Sequence, residues 1–350
     1  MVPGRDLGRS GAADAAAPDA GRPLTIRDVA RDAGVSVATV SRVLAGSATV
    51  SAGLARRVRE SVRRLGYTPH TVARSLASGR TRLVGALVPN LANHYFYALL
   101  KRLLHDAERD GYRLMVADSD EDLAAERELG LNLLAQTDGL ILCSPRVPVT
   151  VLGQLVARDK PLLILNRSID ALPVSQVIVE TYPAMRRLAN HVAELGHRRV
   201  CYLQGPARSW QGKERWRAVR SLARRGVDLT SVRVEATMAA GHEVVPQILR
   251  SGATAVLAYN DLVAIGVVVG LAEQGVRVPE DVSVTGYDDI PFSRYVTPPL
   301  TTVHSPQDEV GSVAWKAMAG LLQGDRPGGR TLLAAQPVIR HSTAPPGRPR

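Results

Sequence analysis

The sequence predicts an all-α helix-turn-helix head followed by an α/β two-lobed core with parallel sheets. Three observations carry this. Residues 25–66 read as three short helical stripes punctuated by glycines. From Leu83 onward, apolar runs of four to six residues alternate with helical patterns of ten to fifteen, the rhythm of parallel strands covered on both faces by helices. Residues 83–343 exceed one typical five- or six-stranded sheet, so two similar lobes with a cleft between them is the economical arrangement.

Residues 1–22 are Ala, Gly, Pro and Asp with scattered Arg. They offer almost no large apolar side chain to bury and read as a disordered leader; without an apolar h-region they do not read as a secretory signal. The head is expected over 23–67. Thr25 with an acid three residues on, Asp28, resembles a capping box, and Ile26, Val29, Ala30 and Ala33 share one helical face. Gly34 stops that helix. Ser36 can cap the next, whose Val37, Val40, Val43 and Leu44 are spaced for a buried stripe. Gly46 ends it, Ser51 can cap a third helix running to about Leu65, and Gly66 ends that. The Ala-Gly-Val-Ser turn followed by Thr-Val-Ser-Arg selects the DNA-reading version of this helical triplet over a plain bundle.

A linker is expected over 68–82. In the core, strands are expected at Leu83–Val88, Arg113–Ala117, Gly139–Cys143, Leu162–Leu165, Gln176–Val179, Val200–Leu203, Ala255–Ala258 and Val282–Thr285. Helices between them include Tyr97–Asp110, Ala184–Leu195, Glu214–Arg225 and Asp261–Gln274. Lobe 1 takes about 83–180 and 306–334, and lobe 2 about 181–305 and 335–343. Residues 344–350, Pro-rich and basic, read as a disordered tail without a coiled-coil heptad.

Charge narrows the function. The net charge is +11. The first 82 residues hold 14 Arg against 6 acids, whereas the remainder is nearly balanced. A basic head that meets a polyanion is the physical reading, since compositional bias alone would spread the excess evenly. The two cysteines, Cys143 and Cys201, lie far apart in apolar runs, which excludes a disulfide scaffold and a cysteine zinc module and fits a cytoplasmic protein. No apolar run spans a bilayer, so no membrane association is expected. There is no G-x-G, Walker loop, H-E-x-x-H or G-x-S-x-G, and the histidines lack metal spacing. No enzyme chemistry, cofactor or metal is expected.

At this point four stretches, TIRDVARDAGVSVATVSRVL, GYTPHTVARSLASGRTRLVGALVP, AVLAYNDLVAIG and VRVPEDVSVTGYDDIPFSRYVTPPLTTV, carry a resemblance. In order and spacing they are similar to the lac repressor/galactose repressor family of transcription regulators, over about residues 25–343. The resemblance implies a DNA-binding head, a core like the periplasmic sugar-binding proteins, and a homodimer on an operator of double-stranded DNA. It implies a ligand-responsive repressor of carbohydrate-utilisation genes whose effector is a sugar or sugar derivative.

By resemblance the second helix lies in the major groove, presenting Val37, Ala38, Ser41 and Arg42. Arg42 can donate a bidentate pair to guanine, and Val37 and Ala38 can pack on a thymine methyl. Thr25, Ser36 and Thr39 are candidate phosphate donors, although capping explains Thr25 and Ser36 equally well. Residues 69–77 match the family's hinge helix, too short to be stable alone. There Ala73 and Arg74 are DNA-contact candidates, and Leu76 matches the wedge that opens a central CG step from the minor groove. The chain departs from the family at Ala45, Leu54-Ala55 and His70, where polar contacts are lost; Arg56, Arg57 and Arg59 are candidates to compensate. For the effector cleft the resemblance implies Arg215, Asn260 and Asp288, with Tyr95 and Phe96 against the ligand and Asn166 and Trp210 as further candidates. Turn chemistry rivals Asn260 and Asp288, and core packing rivals the two aromatics. Glu180 and Ala218 stand where Asp and Gly are common, which leaves the ligand open.

Overall fold

The computed structural model describes residues 24–44, 49–67 and 80–347. The chain divides between residues 79 and 80 into two compact units.

The head unit contains Ile26–Ala33 (α1), Val37–Leu44 (α2) and Ala52–Leu65 (α3). The Asp28 carboxylate accepts from the Thr25 N–H at 2.9 Å and its hydroxyl at 2.6 Å, which starts α1. Gly34 ends it at φ 59°, a left-handed turn that lets its N–H reach back to the Ala30 and Arg31 carbonyls. Ser36 accepts from the Thr39 N–H at 3.1 Å and so starts α2. Ser51 stands at the start of α3, without a side-chain cap. Val29, Val40 and Val58 are wholly buried between the three helices, with Ala30, Ala33, Val43 and Tyr67 around them. Each buried valine contributes ~1.5–3 kcal/mol.

The core unit has two parallel sheets. In lobe 1 the strands are Leu83–Val88 (β1), Arg113–Asp118 (β2), Gly139–Cys143 (β3), Leu162–Leu165 (β4), Ser175–Val179 (β5) and Arg330–Leu333 (β11), in the order β11-β5-β4-β3-β1-β2. The inner strands β3, β4 and β5 are buried along their whole length, as apolar runs covered on both faces must be. Tyr95–Arg109 (α4), Leu123–Gln136 (α5), Val149–Val156 (α6) and Gln307–Gln323 (α12) complete this lobe. In lobe 2, Arg199–Gln204 (β6), Asp228–Arg233 (β7), Ala255–Leu257 (β8) and Ser283–Thr285 (β9) are ordered β7-β6-β8-β9. Its helices are Thr181–Glu194 (α7), Trp210–Val219 (α8), Met238–Glu243 (α9), Val245–Ser251 (α10) and Asp261–Glu273 (α11). An antiparallel pair, Thr302–His304 (β10) and Gln336–Val338 (β12), joins lobe 2 through the isolated bridge of Asp288 with His304. The chain therefore passes between the lobes three times, after β5, after β10 and after β11.

The eight expected strands are all present. Four others, β7, β10, β11 and β12, carry no continuous apolar run and were not expected. The helix expected at Glu214–Arg225 starts instead at Trp210, where Ser209 accepts from the Gly212 N–H, and tightens to a 3₁₀ turn over Arg220–Arg225. The disordered tail expected from residue 344 gives way over 344–347. The Ala344 carbonyl lies 2.9 Å from the His197 ring and 3.1 Å from the Ser283 hydroxyl, which also accepts from the Ala344 N–H. Backbone hydrogen bonding anchored this segment where its composition suggested none.

Candidate DNA-reading helix and effector cleft

In the head, α2 turns Val40 and Val43 inward and leaves Val37, Ala38 and Arg42 exposed, with Ser41 and Thr39 half-buried. One face is fixed by packing and the opposite face is free to meet a groove. The Thr25 hydroxyl is engaged with Asp28, and the Ser36 and Thr39 hydroxyls lie 2.9 Å apart, so all three serve the helix starts. Arg57 donates to the Ala33 carbonyl at 2.6 Å, closing the end of α1. Arg56 lies 4.0 Å from Glu60. Arg64 holds Asp32, which also accepts from Ser61 and sits below the usual carboxylate range because of those two bonds. Ala73, Arg74 and Leu76, with the departures Ala45 and His70, lie outside the described residues.

In the core unit, the ends of the strands converge. Ser144 after β3, Asn166 after β4 and Asp288 beyond β9 have φ of 50°, 58° and 113°, a region that L-residues enter only under constraint. Asp288 is held by its N–H on the Val303 carbonyl at 3.0 Å and by Gln307, whose amide donates to its carbonyl at 2.5 Å.

Arg215 and Asp288, both 3% exposed, face each other with Nη2 and Oδ1 3.4 Å apart. Arg215 also donates to the Tyr259 carbonyl at 2.5 Å and lies 3.7 Å over the Tyr287 ring and 4.7 Å over the Tyr259 ring. Burial pushes the Asp288 carboxyl up to about 7, against the pull of Arg215. Burial works against the Arg215 charge too, but Asp288 and the tyrosines around it hold the guanidinium protonated. Its Nε has no partner. Gly205 makes this packing possible, since a Cβ there would stand 2.3 Å from the Tyr259 ring.

Tyr95 and Phe96 open α4 and are buried, their rings edge to face at 5.2 Å. Asn166 donates to the Tyr95 hydroxyl at 2.7 Å and its Oδ1 is unpartnered. Asn93, Tyr95, Phe96, Ser144 and Arg146 from lobe 1 and Gln211, Arg215, Tyr259 and Asp288 from lobe 2 line one cavity with about 250 Å³ of empty space. Little of it is enclosed, with room for about one water. Any larger ligand requires the lobes to part.

Tyr95, Phe96, Arg215 and Asp288 thus share one cavity, with Asn166 one hydrogen bond behind Tyr95. Asn260 and Trp210 do not line the cavity. Asn260 is wholly buried and its Oδ1 accepts from the Val263 N–H at 3.0 Å, so it caps α11. Trp210 is the first residue of α8. Sequence reasoning missed Asn93, Ser144, Arg146, Gln211 and Tyr259. It also missed Asp261, a fully buried carboxylate that accepts from Thr302 at 2.5 Å and from the Ile290 N–H at 2.8 Å. Asp261 clamps the 286–290 loop on which Asp288 rides. A separate, larger groove lies between α4 and Pro291-Phe292, with Tyr97, Lys101 and His105 in its wall. It holds none of the expected effector residues.

Comparison with known proteins agrees with this division. Residues 25–70 match the bacterial regulatory proteins of the lacI family, and residues 189–343 match the periplasmic binding protein-like domain. The ribose operon repressor of Bacillus subtilis is 31% identical over 85% of this chain and 92% of its own length. The transcriptional repressor CytR of Escherichia coli is 29% identical over 91% of this chain and 96% of its own. A lac repressor dimer bound to operator and the anti-inducer ONPF superposes with a TM-score of 0.83 at 30% identity, covering 92% of this chain and all of that one.

Proposed function

Because the chain belongs to the lacI family of bacterial regulatory proteins, we propose that it represses transcription by binding an inverted-repeat operator through α2 and the segment 69–77, and that a small molecule in the cleft sets its DNA affinity. The members of this family named above are transcriptional repressors rather than enzymes, and among the described residues no helix is long and apolar enough to cross a membrane. A cytoplasmic homodimer is the form that fits the reading. Exposed Tyr97, Leu104, Phe292 and Tyr295 on α4 and the 291–295 segment are candidates for the surface between two copies.

The observation that carries the operator reading is the two-sided character of α2. Val40 and Val43 lock it, and Val37, Ala38 and Arg42 are presented outward. Arg42 reads guanine and the two small apolar residues read thymine methyls. For the effector, Tyr95, Phe96, Arg215 and Asp288 make contact, Asn166 orients Tyr95, and Trp210 and Asn260 act behind them. Closing the cleft on a ligand moves one lobe against the other, and by linkage operator DNA changes effector affinity by the same factor.

Selection of bound sequences from a random duplex pool tests this. An enriched inverted repeat with a central CG is expected. Enrichment of a direct repeat or a single half-site would overturn the paired reading, and salt-sensitive binding without enrichment would overturn sequence recognition by the protein alone.

A further inference from the structure

We propose that the cleft ligand of this chain carries an anionic group, a carboxylate or a phosphate, held between Arg146 of lobe 1 and Arg215 of lobe 2. The inference rests on the effector reading above and narrows its chemical class.

Arg146 follows β3 on the loop that enters the cleft, and it is 7% exposed. Its Nε and Nη2 donate to the two oxygens of Glu121 at 2.8 and 2.9 Å, and its Nη1 donates to the Ser144 carbonyl at 2.8 Å. Its own backbone N–H is bound by both oxygens of the buried Glu126, at 2.9 and 3.0 Å. The guanidinium is thereby fixed before any ligand arrives. Three of its five N–H donors are used, which leaves two. On the opposite wall Arg215 uses one donor on a carbonyl and one on Asp288 at the long distance of 3.4 Å, which leaves three, the orphaned Nε among them.

The lining of the cavity holds two guanidiniums and one carboxylate, with Glu121 paired to Arg146 from outside the lining. With its carboxyl pushed up to about 7, Asp288 supplies only part of a negative charge near neutral pH. A purely structural role for Arg146 is a poor account of this arrangement. A buried ion pair is weak stabilisation, and an apolar side chain would fill the same loop with less desolvation. A second, independent sign is the Ser144 hydroxyl, 2% exposed and unpartnered beside Arg146. Planar forks approaching from two sides suit a carboxylate or phosphate. Asn93, Gln211 and Ser144 suit hydroxyls on the same molecule, and Tyr95, Phe96 and Tyr259 suit its apolar face.

The test uses the full chain and matched pairs of probes: D-ribose against D-ribose 5-phosphate, D-glucose against D-glucuronate, and inorganic phosphate alone. Core melting is followed by tryptophan fluorescence, and affinity for the selected operator is measured in parallel. In at least one pair the anionic member should raise the melting temperature and its neutral partner should not. Arg146→Gln should weaken that binding about tenfold or more, the loss of one charge-assisted hydrogen bond. Arg146→Lys, which keeps the charge and loses the fork, should lie between. The pair that responds tells phosphate from carboxylate. Neutral members binding as tightly as anionic ones, an anionic shift unchanged in both variants, or no shift with any probe overturns the inference. Operator release by a neutral sugar overturns the anionic class and leaves the effector reading standing. An anionic shift without any change in operator affinity supports the site and counts against the effector reading.

Discussion

Replacing Asp261 by Ala should unfold the core far more easily than replacing it by Asn. The Asp261 side chain accepts from the Ile290 N–H and the Thr302 hydroxyl, and it presses on Gly286, where a Cβ would stand 2.1 Å from its Oδ1. Alanine leaves both donors buried without a partner, at ~1–3 kcal/mol each. The expected loss is about 4 kcal/mol, or roughly 10 °C of core melting temperature for a unit of this size. Burial and the neighbouring Asp288 push the Asp261 carboxyl well above the usual range, which favours the neutral acid over the carboxylate. Asparagine copies that acid: its oxygen serves Ile290, and its amide donates to a Thr302 hydroxyl turned to accept. A cost within about 1 kcal/mol is expected for Asn. Urea unfolding followed by tryptophan fluorescence is the assay, because all three tryptophans, Trp210, Trp216 and Trp315, lie in the core unit and the head is silent. If Asn is as damaging as Ala, the carboxylate is charged and the argument from burial is wrong. If Ala costs under about 1 kcal/mol, the clamp does not hold the loop.

Arg42→Met should reduce operator affinity by ~1–3 kcal/mol and barely affect non-specific DNA, measured by fluorescence anisotropy on both duplexes; equal losses assign Arg42 to phosphate. Ser36→Ala should cost the head about 1 kcal/mol as a lost cap, read by the head's own thermal melt, and leave DNA affinity well below that melt unchanged; an equal loss of affinity on operator and random duplexes with no loss of head stability would make it a phosphate donor instead. Leu76→Ala should weaken operator binding much more than random-sequence binding, and parallel losses would remove the wedge. For pH, folded Asp288 keeps until about pH 7 a proton that the unfolded chain releases near 3.8. Its contribution to stability is thus fully present below about pH 4, declines as pH rises to about 7, and is flat above. Urea midpoints between pH 5 and 8 should fall less steeply in Asp288→Asn, and an unchanged slope would place its titration elsewhere.

Most strands that the sequence announced have both faces buried, such as Leu162–Leu165; the exception is the half-exposed edge strand Arg113–Asp118. Edge strands such as Asp228–Arg233 mix polar and apolar residues because one side meets water, and nothing local marks them. Arg215 and Asp288 were legible through motif context, but Arg146 was not. One Arg in the loop SPRVP looks like any solvated Arg until the fold brings Glu121 and Glu126 to it. Asn260 drew attention as a ligand residue while its neighbour Asp261 carries the loop. The helical turn at Asn260 was visible from residue type, whereas the partners of Asp261 lie 29 and 41 residues away. Periodicity reports which face is buried. It does not report which polar groups meet there.

The three passages of chain between the lobes decide which parts of this molecule can be exchanged with a relative. The head joins the core at one place, so a graft there needs a single splice and can transfer operator preference whole. Neither lobe is a continuous stretch of sequence. β11 is laid into the lobe 1 sheet beside β5 about 150 residues after it, and β12 returns at once to β10. Recombination at a single point between β1 and β11 therefore leaves the lobe 1 sheet with strands from both parents. New ligand preferences in such a chain arise by substitution within the cleft walls, and new DNA preferences can be borrowed.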